Sequence, residues 1–180
     1  AASDVYKRQH SRFLIDSAGN RSMRTINEPC AENSYLGEHA ALLLASYRHW
    51  TGKDLVKPGQ SEEDTYRALF EAAYGVVSHN TDDDPIFNYA NRTALRLFEM
   101  DWSAFTKLAS RKSAEPVNRA ERERLMAYVT KHGFMQGYRG VRISSTGRRF
   151  MLEDATVWNI VDQHGVYHGQ AAVFYRWSEL

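Results

Sequence analysis

A chain of 180 residues, 43% of them hydrophobic, is long enough for one globular domain with a real core and a modest extension, and too short for two full domains. Its 23 basic and 22 acidic residues nearly cancel, which removes any bulk-charge argument for a nucleic-acid or anionic-membrane partner. The single cysteine, Cys30, excludes an internal disulfide and any multi-cysteine metal site, and no apolar run reaches the roughly 18 residues of a membrane span. With no secretory pattern at the start, the expectation is a cytoplasmic protein without a nucleic-acid or membrane partner.

The first residues stand apart. SDVYKRQ, Ser3 to Gln9, reads as the translation of a transposase end sequence used in preparing DNA sequencing libraries. Residues 1–22 are therefore expected to be non-native or disordered, with Met23 the first candidate initiator. Residues 23–61 form a helical extension and linker: Leu36, Ala40, Leu43, Tyr47 and Trp50 recur in alternating steps of four and three, a helical face with Asn33 or Ser34 to cap it and Gly52 past its end. That face fits packing on its own domain or contact with a second copy. Residues 62–180 then form the main domain. Ser61 with Asp64 resembles a capping arrangement for a second helix over Glu62–Ala73.

After Tyr74 the period changes. YGVVSHN and PIFNYAN are strand candidates rich in β-branched and aromatic residues; Pro85 can open a strand but not sit inside a central one. Asn91 stands at a helix cap before RTALRLFEM, and Asp101 caps the short DWSAFTKL. A longer helix, RAERERLMAYVTKHG, closes at Gly133. Three strands follow, GYRGVRISS, RRFMLEDATVWNIVD and VYHGQAAVFYRW, separated by turns at Ser145–Gly147 and Gln163–Gly165. In the middle strand Phe150, Leu152, Thr156, Trp158 and Ile160 share one parity, and Met151, Ala155 and Val157 the other. The predicted fold is α+β: a five-stranded antiparallel sheet with its helices on one face, preceded by N-terminal helices.

This succession resembles the PAS fold, and four strings carry a closer resemblance to the MEKHLA family, a PAS-related group: SHNTDDDPIFNYANRTALRLFEMDW, SRKSAEP, GYRGVRISSTGRRF and ATVWNIVDQHGVYHGQAA. With LLLASYRHWTGKDL upstream, the resemblance covers about Tyr35 to Trp177. The family occurs as stand-alone bacterial proteins, the type expected here, and as the C-terminal domain of plant homeodomain leucine-zipper regulators. No homeodomain or zipper is present in this sequence, so DNA binding is not carried over. The resemblance implies a sensory or protein-interaction module that holds a small ligand between sheet and helices and signals by pairing with another copy or a signalling protein. It leaves the cofactor unknown. Light-sensing flavin chemistry would need a thiol in the helical region after the second strand, and Cys30 lies far upstream of it.

Residues placed around such a cavity are Phe87, Tyr89, Tyr138, Trp158 and Gln170, because pockets are mostly aromatic and apolar with few polar anchors. Arg142 joins them as a carboxylate or phosphate ligand, with salt bridges from Arg142, Arg148 and Arg149 to Glu153 and Asp154 as the competing reading. His79, His132, His164 and His168 are the haem-ligand candidates, against helix-end and turn roles for His132 and His164. The run TDDDP lacks the ligands and spacing of a calcium loop, so no metal is expected there; Asp82 and Asp83 read as a solvated turn, and Asp84 with Pro85 as the start of the second strand. No catalytic motif is present. A small enzyme of hydratase or isomerase type, working through His79 and Asp84 in a cone-shaped pocket, and a ligand-free dimerisation unit remain the alternatives.

Overall fold

In the computed structural model, which describes residues 13–15, 21–23, 26–57 and 61–180, the stripe from Leu36 to Trp50 forms α1 (Gly37–Thr51). Gly52 closes it in the left-handed region, its N–H donating to Arg48 O. Neither Asn33 nor Ser34 caps it. The Asn33 side chain instead accepts from the Cys30 and Leu36 amides and shapes the turn ahead of the helix. Most of the stretch expected to be non-native lies outside the described residues; within it, β1 (Phe13–Ile15) and β2 (Arg21–Met23) pair antiparallel.

The remaining elements keep the expected order. Ser61 caps α2 (Glu62–Glu71), accepting from the Asp64 amide. Then come β3 (Gly75–His79), β4 (Phe87–Ala90), α3 (Arg92–Phe98), α4 (Trp102–Phe105), α5 (Arg119–His132), β5 (Phe134–Ile143), β6 (Arg149–Val161) and β7 (Tyr167–Phe174). All pairings are antiparallel, in the spatial order β4-β3-β7-β6-β5. The predicted α+β, PAS-like architecture is the one observed, with one addition. The final run is not a single strand: it breaks at Tyr175, and β8 (Arg176–Glu179) pairs with the first part of β6, giving six strands where five were expected. At 13 residues β6 is long enough to hold β7 and β8 in succession along one edge.

Two bulges between β5 and β6 decide which of their side chains meet. Between Met135 and Tyr138 the register gains a residue on β5, and between Ala155 and Leu152 it gains one on β6. Each carries a residue with positive φ, Gly137 and Asp154. An extra residue turns every later side chain to the opposite face. Phe150 and Leu152 therefore share a face with Ala155, Val157 and Asn159, and Trp158 does not. The parity grouping drawn from sequence is thus corrected at Asp154.

The helices after β4 gather on one face, led by α5, whose C-terminal carbonyls at Val129 and Thr130 accept from the Asn159 side chain. The other face belongs to α1. Trp158, fully buried, donates from Nε1 to Ser46 Oγ at 3.1 Å and meets Tyr47 edge-on at 5.0 Å. Ser78 donates to Asn88 Oδ1, so its oxygen accepts from His39 Nε2 at 2.9 Å and ties α1 to β3.

Candidate functional site

Between the sheet and α5 lies a cavity of about 60 Å³. Its walls are largely apolar, with Phe87, Phe98, Leu125, Leu152, Val157 and Phe174 among them. Into this lining the chain introduces Arg122, Arg142, Tyr138, His79, Gln170 and Ser113. A cavity holding one water needs roughly 10–15 Å³, so this one takes several waters or a small organic molecule.

The two arginines dominate its electrostatics. Arg122 is 7% exposed and Arg142 8% exposed, and among the described residues no carboxylate lies within 4.0 Å of either. Arg122 sits on the buried stripe of α5 with Leu125 and Val129, three and seven residues on. Its Nη2 donates to Ser110 Oγ at 2.8 Å. Burial, then the neighbouring Arg142 charge, pushes its guanidinium down to about 10, so it stays charged at neutral pH; Asp84 and Glu123 oppose the shift only from a distance. Arg142 donates from Nη1 to Val141 O and from Nη2 to the Tyr138 hydroxyl at 3.2 Å, with its Cζ 5.4 Å from the centre of the Tyr138 ring. Each guanidinium has five N–H donors, so Arg122 uses one and Arg142 two in these bonds. The close approach of Tyr138 depends on Gly140: a Cβ there would stand 2.0 Å from the Tyr138 hydroxyl oxygen.

Opposite them, His79 and Gln170 face each other across β3 and β7. His79 Nδ1 lies 2.9 Å from Asn80 O, a carbonyl that can only accept, so the one proton of the neutral ring is on Nδ1 and Nε2 is an acceptor. Burial is the main reason its pKa is pushed down to about 4, which keeps the ring neutral. The two N–H groups of the Gln170 amide are shared among three acceptors, Met126 O, Thr130 Oγ1 and Asn159 Oδ1, while its Oε1 is buried without a partner.

Of the six residues expected around a cavity, Phe87, Tyr138, Arg142 and Gln170 line it. Tyr89 and Trp158 do not. Both belong to the α1 face, where Tyr89 lies 5.7 Å from the His39 ring and 6.2 Å from Trp102. Tyr89 pairs with Ser78, one residue out of phase with the His79–Phe87 pair that faces the cavity. Arg142 makes no bridge to Glu153 or Asp154; Arg148 pairs with Glu179 and Arg149 with Glu115.

The acidic run is a surface turn. It is Asn80, not Asp84, that holds it, its Oδ1 accepting from the Asp82 and Ile86 amides. Asp84 instead pairs with Arg111 at 2.9 Å, and Pro85 O accepts from the Ser110 amide just ahead of β4. Asn91 is buried and satisfied: its Oδ1 accepts from the Val76 and Ala94 amides, capping α3, and its Nδ2 donates to Leu69 O and Tyr74 O. His79 lines the cavity and Asp84 does not, so the acid–base pair of the enzyme alternative does not share it. His132 stacks on Tyr128 at the end of α5, and His168 pairs with Asp162 at 3.0 Å. Sequence reasoning missed Arg122, Asn159 and the cavity role of Ser113. For Arg122 the signal was its spacing from Leu125 and Val129 on one helical face.

The profile of the MEKHLA domain matches residues 37–179. The chain belongs to the MEKHLA family. Homeobox-leucine zipper protein ATHB-9 of Arabidopsis thaliana is 29% identical over 180 residues, covering 95% of this chain and 21% of that protein. Homeobox-leucine zipper protein HOX32 of Oryza sativa subsp. japonica is 26% identical over 134 residues, 74% of this chain and 16% of its own length. This MEKHLA chain thus spans about a fifth or less of these plant relatives. Among solved structures, the PAS domain of a protein from Colwellia psychrerythraea superposes with a TM-score of 0.55 at 10% identity, covering 66% of this chain and 95% of that one. A Light-Oxygen-Voltage domain studied with a flavin analogue gives 0.52 at 15% identity, covering 65% and 84%. At such identities the likeness establishes a PAS-type fold. The thiol that light-sensing flavin photochemistry uses has no counterpart in the cavity lining, and Cys30 precedes α1. No helix among the described residues is long and apolar enough to cross a membrane.

Proposed function

We propose that this MEKHLA domain is a PAS-like sensory module that takes a small molecule into the cavity under α5 and passes the event on by association with a second copy or a signalling protein. The observation that carries this reading is the lining of the cavity: buried, incompletely paired polar groups set in apolar walls. Such groups are costly to bury and are retained where a partner meets them. A ligand held between α5 and the sheet would act on the bonds from Asn159 and Gln170 that fasten α5 down, which gives occupancy a mechanical outlet. The single thiol suits a reducing compartment, and we place the protein in the cytoplasm.

Native mass spectrometry of the full chain tests this. A small molecule retained at low activation energy, and lost when Ala155→Leu fills the cavity, is the expected result. A bare dimer whose stability no cell-extract fraction alters would overturn the sensor in favour of a ligand-free dimerisation unit.

A further inference from the structure

Resting on that reading, we propose that the ligand is a short hydroxycarboxylic acid bound as its anion, the carboxylate between Arg122 and Arg142 and the hydroxyl donated toward His79 and Gln170. Two guanidinium groups lining one largely apolar cavity repel each other and have lost most of their hydration. Removing a charge from water without a counter-charge is among the largest penalties a fold carries. A carboxylate answers both terms, and the planar fork of arginine matches its two oxygens.

Among the described residues no carboxylate supplies that anion. Asp84, the acidic side chain of the preceding strand connection, is held outside by Arg111, and Arg148 and Arg149 have their own carboxylates at the surface. The Tyr138 hydroxyl takes one Arg142 donor and Ser110 one Arg122 donor, which orients both forks and leaves the other N–H groups for a ligand. A phosphate would meet the same cations, but the opposite wall argues for something else. It presents acceptors: the unprotonated His79 Nε2, which lies beside the Gln170 side chain, and Gln170 Oε1, buried without a donor. A hydroxyl on the ligand provides what they lack. Size narrows the class further, since about 60 Å³ takes several waters or one small organic molecule.

The test uses the full chain and four probes: lactate, propionate, lactamide and inorganic phosphate, each titrated by calorimetry and by thermal shift. Lactate is expected to bind tightest, propionate more weakly, and lactamide and phosphate not measurably. Arg142→Met is expected to weaken lactate about 30-fold or more, as loss of one partner of a buried charge pair does. Its unliganded melting temperature should hold or rise, because an unpaired buried charge is gone. Lactamide matching lactate would overturn the anion assignment while leaving a ligand sensor in place. Propionate matching lactate would remove the hydroxyl. Phosphate binding alone would replace the carboxylate class, and no binding by any probe, with a ligand still retained in native mass spectra, would reject the proposal outright. Should Arg142→Met not fold, NOEs from the ¹³C-labelled lactate methyl to Phe87 and Leu125 in the unaltered chain decide it: their presence supports the site, and contacts elsewhere overturn it.

Discussion

The two faces of the sheet are built on different terms. Under α1 Trp158 fills its space, reaches Ser46 with its one donor and is braced by Tyr47, and the Tyr89 hydroxyl is the buried polar atom left without a partner there. Under α5 the chain leaves room, and places charge where no counter-charge follows. One strand, β6, serves both faces through neighbouring residues, Trp158 on one side and Val157 with Asn159 on the other. The contrast separates what stabilises the domain from what the domain can respond to. Stability concentrates under α1, and adaptability under α5.

The sharpest way to break that division is Trp158→Ala. Emptying a fully buried indole site costs about 3–5 kcal/mol, so the urea midpoint should fall steeply; a shift below about 1 kcal/mol would show that α1 is not the stabilising side. The cavity face has its own stability signature in pH. Below pH 6.5 the unfolded chain protonates His79, whereas the folded chain, with that imidazole pushed down to about 4, does not. Its contribution is complete above pH 6.5 and is lost as pH falls toward 4, on the order of 3 kcal/mol in all. Urea midpoints measured at intervals from pH 7.5 to 4 should therefore fall less steeply for His79→Gln than for the unaltered chain. Parallel profiles would mean the ring is not held neutral.

Gly140→Val should come next, at about 1–3 kcal/mol, because the added carbon displaces Tyr138 from Arg142. The Tyr138 ring resonances in an NMR spectrum would report that movement directly, and unchanged shifts would refute it. Smallest is Asp84→Ala. It removes a half-exposed pair with Arg111 and should cost under about 1 kcal/mol. A larger loss would restore to Asp84 the strand-starting role that Asn80 fills.

Periodicity made the order of elements legible, and local chemistry revealed the caps at Ser61, Asn91 and Asp101. What could not be read was the assignment of side chains to faces, because alternation holds only between bulges. Gly137 stood at the start of the strand read from sequence, and only the observed start at Phe134 places it inside, at one of the bulges. Asp154 looks like any solvent-facing residue, and it is the one that puts Leu152 and Trp158 on opposite sides. The arginine pair was half visible: Arg142 stood out in a strand, whereas Arg122 was hidden among the charges of a helix whose buried stripe it shares.

The two bulges also set what changes of length this sheet tolerates. They cancel, so that the pairing of Phe134 with Trp158 and that of Ile143 with Arg149 belong to one register. Deleting a single residue at Glu153–Asp154 would exchange the inward and outward side chains over one arm of β6, exposing either Leu152 or Trp158 to the wrong layer. The turns at Ser145–Gly147 and Gln163–Gly165 carry no such coupling. A change of length is thus expected to cost least at the Gln163–Gly165 tip and most at mid-strand, while the Ser145–Gly147 tip is tied to the end of α3 by bonds to Phe98 O and Glu99 O.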